Sequence, residues 1–273
     1  PFIKTGGLAD VVGSLPKYFD RKKYDVRVVL PKYSCMKQEW KDKMDYITHF
    51  YMDLGYKNCY VGIMHMEYQG IQFYFIDNEY YFNRDGLYGY YEDGERFAFF
   101  NRAVLEFIKE IDWKPDIINC NDWQTGMIPV LHKLEYSKDP FYKDIKTVTS
   151  IHNLLFQGNF SADILPELFG YDYEPVRNGS LEFYGGMSFM KGAINYSDRI
   201  LTVSETYAEE IKTPFYGENL DGLMRARSNV LSGIVNGIDY DEWNPETDPF
   251  VPYHYNAITF RKEKAKNKVA LQQ

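Results

Sequence analysis

The chain has 273 residues, 45% hydrophobic and 26% charged, with a net charge of −8. This is the composition of a soluble globular protein able to bury a large core, as one big domain or two modest ones. The acidic balance excludes general binding to nucleic acid or a membrane surface, and no apolar run approaches the roughly 20 residues that span a bilayer.

Cys35, Cys59 and Cys120 are odd in number and lack metal-ligand spacing, which predicts a reduced, cytoplasmic protein with no metal site. No leader is evident, and the chain begins with Pro1 instead of methionine, so an upstream segment is expected. The 25 tyrosines suit a sugar-binding surface, but most of them read as ordinary core and rim material.

The opening "PFIKTGGLADVVGSLPKYF" sets Lys4, Gly6 and Gly7 before a helical run, since Leu8, Val11, Val12 and Leu15 share one face. The glycines are expected to allow positive φ and close backbone approach. The unpaired amides of a helix start favour phosphate, and Lys4 would add a full charge. The alternative is a strand-to-helix turn with a solvated lysine. "YDVRVVLPKY" reads as a strand, and "YVGIMHMEYQGIQFYFID" as two strands around Gln69-Gly70. A loop rich in tyrosine and glycine follows, then a helix with Phe97, Phe100, Val104, Ile108 and Ile111 on one face.

"KPDIINCNDWQTGMIPVLHKL" gives a strand, a polar turn and a helix from about Thr125. "KTVTSIHNLLFQG" is a strand running into a loop, and "GGMSFMKGAINYSD" a helix. "RILTVSETYAEEI" is a strand and a helix, with Thr206 and Glu209 at capping-box spacing. "LSGIVNGIDYDEWNPE" is a last strand, and "FRKEKAKNKVALQQ" a last helix. The alternation predicts an α/β fold with a mainly parallel, Rossmann-like doubly wound sheet.

The polar clusters at 121–123, 152–153, 204–206 and 236–239 all follow predicted strands. Ligands of open parallel sheets bind outside the carboxyl ends of the strands, so a crevice is expected there. The Lys4–Gly7 turn would be a fifth such cluster if a strand precedes Pro1. Asp122 suits a hydrogen bond to a sugar hydroxyl, or an N-cap for the helix that follows. His152 can donate to a ligand oxygen or bond to backbone. Asn153 and Gln157 supply neutral donors and acceptors for uncharged hydroxyls. Ser204 lacks the flanking glycines of a nucleophile elbow, and neither a Walker loop nor G-x-G-x-x-G occurs.

"KTGGLADVVGSLPK" resembles the signature of bacterial glycogen synthases and plant starch synthases. "NDWQTGMIP", "IHNLLFQG", "FMKGAINYSDRILTVSETYAEEI" and "VNGIDYDEWNPETD" resemble further blocks of that family, in its order. The resemblance implies a GT-B scaffold of two Rossmann-like halves that transfers glucose from ADP-glucose to an α-1,4-glucan with retention, without cofactor or metal. It implies Lys4, Gly6 and Gly7 at the donor phosphates, Asp122 near the acceptor and reacting sugar, His152 over the donor glucose, Asn236 beside it and Tyr88 on the acceptor side. Residues 1–273 would be the N-terminal, acceptor-side domain without its first strand, and the C-terminal nucleotide-binding domain would lie outside them. Where the family often has histidines around the aspartate ("HAHDWH"), this chain has Asn119, Asn121 and Gln124. A non-catalytic carbohydrate-binding module and another sugar-nucleotide glycosyltransferase of the same scaffold are the alternatives.

Overall fold

The computed structural model describes residues 1–273, which divide into two units, Pro1–Val235 and Asn236–Gln273. The strands of the first unit are β1 (Arg27–Pro31), β2 (Asp45–Leu54), β3 (Lys57–Tyr68), β4 (Ile71–Asp77), β5 (Ile117–Asn121), β6 (Lys146–Ile151), β7 (Asn159–Phe160), β8 (Glu182–Phe183), β9 (Gly186–Ser188), β10 (Arg199–Thr202) and β11 (Leu231–Gly233). They form sheets ordered β1-β4-β3-β2, β11-β10-β6-β5 and β7-β9-β8. The second sheet is parallel throughout. Its strands are short, and Ile151 and Ile200 are fully buried, as strands covered on both faces require. In the first sheet β1 and β4 run parallel, and β3 runs antiparallel to both of its neighbours.

The β3–β4 hairpin turns at Gln69 (φ 51°) and Gly70 (φ 74°), the positive pair that a two-residue hairpin favours. Arg21 covers this turn and donates from Nη2 to the Gln69 carbonyl at 2.6 Å. β2 has no counterpart among the predicted strands. Met52 and Leu54 point into the core, but the register shifts between Tyr46 and Thr48 and Tyr51 faces solvent, so the sequence shows no clean alternation.

The helix Asp93–Glu110 buries the predicted Phe97, Phe100, Val104 and Ile108, and also Phe99, Leu105 and Phe107. A helix apolar on most sides belongs between layers. Phe107 meets Tyr74 of β4 at 5.0 Å, while Phe97 meets Trp123, just beyond β5, at 5.0 Å. Two helix starts differ from expectation. The helix Glu205–Glu210 is capped by Ser204, which accepts from the Tyr207 amide, so no capping box forms at Thr206. Gly186–Ser188 belongs to β9, and the next helix starts only at Phe189 because Ser188 caps it.

The tyrosine-rich loop before Asp93 is tied to a buried ion pair. Arg96 is fully buried and donates to Asp93 Oδ1 at 2.5 Å, to the Tyr81 carbonyl at 2.7 Å and to the Leu87 carbonyl at 3.3 Å. Asp93 Oδ2 in turn accepts the amides of Gly89 and Tyr90 at 2.6 and 3.1 Å. The loop is therefore held by groups that would be costly to leave unpaired.

In the second unit the helix Phe260–Gln272 forms as predicted. Asn267 bonds both the amide and the carbonyl of Tyr253, at 3.0 and 2.7 Å, which ties that helix to the preceding segment.

Removing one partner of the buried pair should be severe. Arg96→Met is expected to lose about 3–5 kcal/mol in urea unfolding, because it strands the Asp93 charge. A loss below about 1 kcal/mol would show that water already solvates that carboxylate.

Candidate functional site

Parallel register sets Asn121 at the end of β5 beside Ser150 of β6, so Asp122 and His152 leave the sheet at one edge. Asp122 has φ 55° and ψ −173°, a conformation close to one reserved for glycine. Holding it there costs about 1–3 kcal/mol, which the surroundings must offset. Its amide donates to the Ser150 carbonyl at 3.0 Å, and its carbonyl accepts the Thr125 amide at 3.3 Å. Its Oδ1 accepts the His152 amide at 2.7 Å, and the Asn153 amide also bonds the carboxylate. No side-chain cap bond is made to the helical turn that follows, so the capping role is not the one Asp122 fills.

Burial pushes the Asp122 carboxyl up to about 6, against the pull of the His152 and Asn153 amides. Burial also lowers the His152 imidazole below its ordinary value. Near neutral pH the corner thus holds an ionised carboxylate close to its titration point beside an uncharged imidazole. His152 Nε2 lies 3.0 Å from Asn121 Oδ1. The Tyr207 hydroxyl accepts the Leu154 amide at 3.1 Å, and its proton is held more tightly by burial and by the nearby Asp122 charge. Sequence reasoning singled out Asn121 only as part of a polar cluster and as a departure from the family's histidines, and it missed Tyr207. The signal for Tyr207 was the cap, since Ser204 starts that helix and sets its third residue back over the strand ends.

Asn153 and Gln157 are less available than expected. Asn153 Oδ1 accepts the Leu155 amide at 3.0 Å, and Gln157, buried, donates from Nε2 to the Glu218 carbonyl at 2.8 Å. Both support backbone around the corner instead of offering all their polar atoms outward. Tyr88 lies in the loop held by Arg96 and is 42% exposed, which leaves part of its ring accessible. Asn236 opens the second unit and is exposed.

The opening segment is anchored on the first sheet through Phe2, whose ring lies 4.8 Å from Phe73 and 5.3 Å from Phe75. Lys4 Nζ pairs with Asp10 Oδ1 at 2.5 Å, with both side chains well exposed. Gly6 is extended at φ −177° and Gly7 is helical, so the expectation of positive φ is not met. What the pair provides is bare backbone, since a Cβ on either glycine would meet nothing within 4 Å. No side chain caps the start of the helix Gly7–Ser14. Hydrogen bonds bring Asp122, His152 and Asn153 together, and none links them to Lys4, Gly6 or Gly7.

A carboxyl raised in the folded state binds its proton more tightly there than when unfolded. Its cost to stability is therefore absent below the unfolded value of 3.8 and complete above about 6. Asp122→Asn keeps the shape and meets the same backbone strain as the parent. It should exceed the parent in stability by up to about 3 kcal/mol near pH 8, with the difference fading toward about pH 3. Thermal unfolding across that range checks this, and a difference independent of pH would contradict it.

Residues 1–226 match the family described as the starch synthase catalytic domain. The chain is 70% identical over 272 residues to a glycogen synthase of Clostridium perfringens, covering 100% of this chain and 56% of that protein. It is 59% identical to a glycogen synthase of Lachnospira eligens, covering 100% of this chain and 57% of that protein. The catalytic domain of starch synthase IV from Arabidopsis thaliana, solved bound to ADP and acarbose, superimposes with a TM-score of 0.88 at 34% identity, over 100% of this chain and 56% of that one. The chain thus spans a little over half the length of these relatives, and its α/β architecture is the Rossmann-like one of GT-B glycosyltransferases. With its family blocks in order and its fold in agreement, the chain belongs to the starch synthase catalytic domain family.

Proposed function

We propose that residues 1–273 are the N-terminal, acceptor-side domain of a glycogen synthase. The intact protein transfers glucose from ADP-glucose to the non-reducing end of an α-1,4-glucan with retention, and the 273-residue chain alone does not elongate glucan. The observation that carries this reading is the 70% identity to a glycogen synthase across the whole chain. The ADP bound to the starch synthase neighbour supports an adenine donor. Three free thiols support a cytoplasmic location, and no helix is long and apolar enough to cross a membrane. Neither nucleic acid nor a membrane is a partner in this reading.

The sheet edges support a strand upstream of Pro1. β1 and β5 are each paired on one side only, and both pairings are parallel. One strand laid between them would merge two four-stranded sheets and cover two edges that otherwise invite foreign strands. Such a strand would lead into the Lys4–Gly7 turn and set it at the same carboxyl edge as Asp122 and His152.

In the reaction the bond from glucose C1 to the diphosphate oxygen breaks and a bond from C1 to the acceptor O4 forms. The acceptor hydroxyl attacks from the leaving-group face and its proton passes to the departing phosphate oxygen. Lys4, released from Asp10, joins the bare Gly6–Gly7 backbone and the helix start in neutralising the diphosphate. Asp122 faces the reacting sugar as a carboxylate and stabilises positive charge on the ring. His152 holds the donor glucose and Tyr88 meets the glucan, while Asn153 and Gln157 keep the surrounding backbone in place; Asn236 is assigned to the donor by the family resemblance alone. Donor, acceptor and both phosphates must be held together, and that proximity is worth several kcal/mol, about 7–11 at its upper range. One wall of the site cannot supply it.

Incubation with labelled ADP-glucose and glycogen tests the reading. The intact protein should incorporate label, with little from UDP-glucose, and the 273-residue chain should incorporate none. Incorporation by the chain at the intact rate would contradict the half-site assignment. In the intact protein, Lys4→Ala should cost roughly a hundredfold to a thousandfold in rate with ADP-glucose, the usual loss for one contact to developing charge. A near-normal rate would return Lys4 to the role of a surface partner of Asp10.

A further inference from the structure

We propose that Asn121 fixes the tautomer of His152, so that the imidazole presents a bare Nδ1 as hydrogen-bond acceptor for a hydroxyl of the donor sugar. The second half of this statement rests on the assignment of His152 to the donor glucose, while the tautomer itself stands on geometry alone.

Asn121 Nδ2 donates to the Asn119 carbonyl at 3.3 Å, which turns Oδ1 toward the ring, 3.0 Å from His152 Nε2. An amide oxygen only accepts, so Nε2 carries the proton and Nδ1 keeps its lone pair. The strand end that carries this side chain is itself tied on both sides. The Asn121 carbonyl accepts Thr125 Oγ1 at 2.9 Å, and the Asn119 side chain accepts Ser150 Oγ at 2.8 Å. Nδ1 makes no bond within the protein, and burial favours the uncharged ring. Neither titratable neighbour bonds the ring. Asp122 is engaged by the main-chain amide of His152, and Tyr207 by that of Leu154.

The asparagine at position 121 gives the arrangement its direction. A histidine at position 121, as in the blocks this stretch resembles, could offer a donor or an acceptor and could itself become charged. Asparagine in this orientation offers the ring only an acceptor and never becomes charged. The acceptor character of His152 is thus built in by a residue that never titrates.

Long-range proton–nitrogen correlation NMR on the labelled 273-residue chain reads the tautomer directly, with the His152 signals assigned by their loss in His152→Gln. The parent should show protonated Nε2 and bare Nδ1. Asn121→Leu should populate both tautomers, and Asn121→Asp, which retains an acceptor there, should restore the parent pattern. Protonated Nδ1 in the parent, or an unchanged pattern in Asn121→Leu, would overturn the proposal. In the intact enzyme Asn121→Leu should raise the sugar-nucleotide KM roughly tenfold, the worth of one hydrogen bond, and leave the glucan KM unchanged. An unchanged sugar-nucleotide KM would overturn the acceptor role. An intact protein without glucosyl transfer would instead refute the functional reading and leave the NMR result standing.

Discussion

The Asp122 carboxylate accepts the main-chain amides of His152 and Asn153, and through that contact the ends of two parallel strands are locked together. Parallel strands have no turn between their neighbouring ends, so something outside the ladder must fix the segments that leave them. Here it is a side chain, and its backbone pays with a conformation that few residues other than glycine adopt. The amides that hold the carboxylate favour its charged form, while burial disfavours it, and burial is the larger influence. The outcome is an acid poised close to neutrality beside an imidazole kept uncharged. Strain, burial and perturbed protonation coincide at one sheet edge, as they do where chemistry is done.

The tyrosine-rich loop follows a different logic. The tyrosine-rich loop carrying Tyr88 projects from the start of the long central helix and could have been mobile. Arg96 and Asp93 remove that freedom by spending their charge on carbonyls and amides of the loop itself. If the loop meets glucan as proposed, it does so without first losing its own entropy. At the Lys4 turn the chain does the reverse. A lysine held by one exposed aspartate can exchange that partner for a phosphate at little cost, because an exposed ion pair is worth about 0–1 kcal/mol.

Much of this was legible in the sequence. The strands at 27–31, 117–121, 146–151 and 199–202 follow from short β-branched runs, and the positions after them pointed to Asp122 and His152. The hairpin at Gln69-Gly70 follows from its turn chemistry. β2 was hidden because a register shift and solvent-facing aromatics break its period. The cap at Ser204 was mistaken for Thr206 because two hydroxyl residues stand two apart, and only backbone geometry tells them apart. The glycines at 6 and 7 illustrate a deeper limit. Sequence announces that no Cβ is present, but not whether the chain needs positive φ or only a bare surface, and here it is the latter. Side-chain partners across strands, such as Asn121 with His152, depend on register and are not visible in one dimension.

The central claim is that the Asp122–His152 corner meets the sugar that reacts. A crystal structure of the intact protein with ADP and a maltooligosaccharide tests it most directly. The account predicts a glucosyl unit within hydrogen-bond distance of Asp122 and His152, with the diphosphate on the Lys4–Gly7 turn. Sugar and nucleotide bound elsewhere, with Asp122 still engaged only by its own backbone, would contradict it.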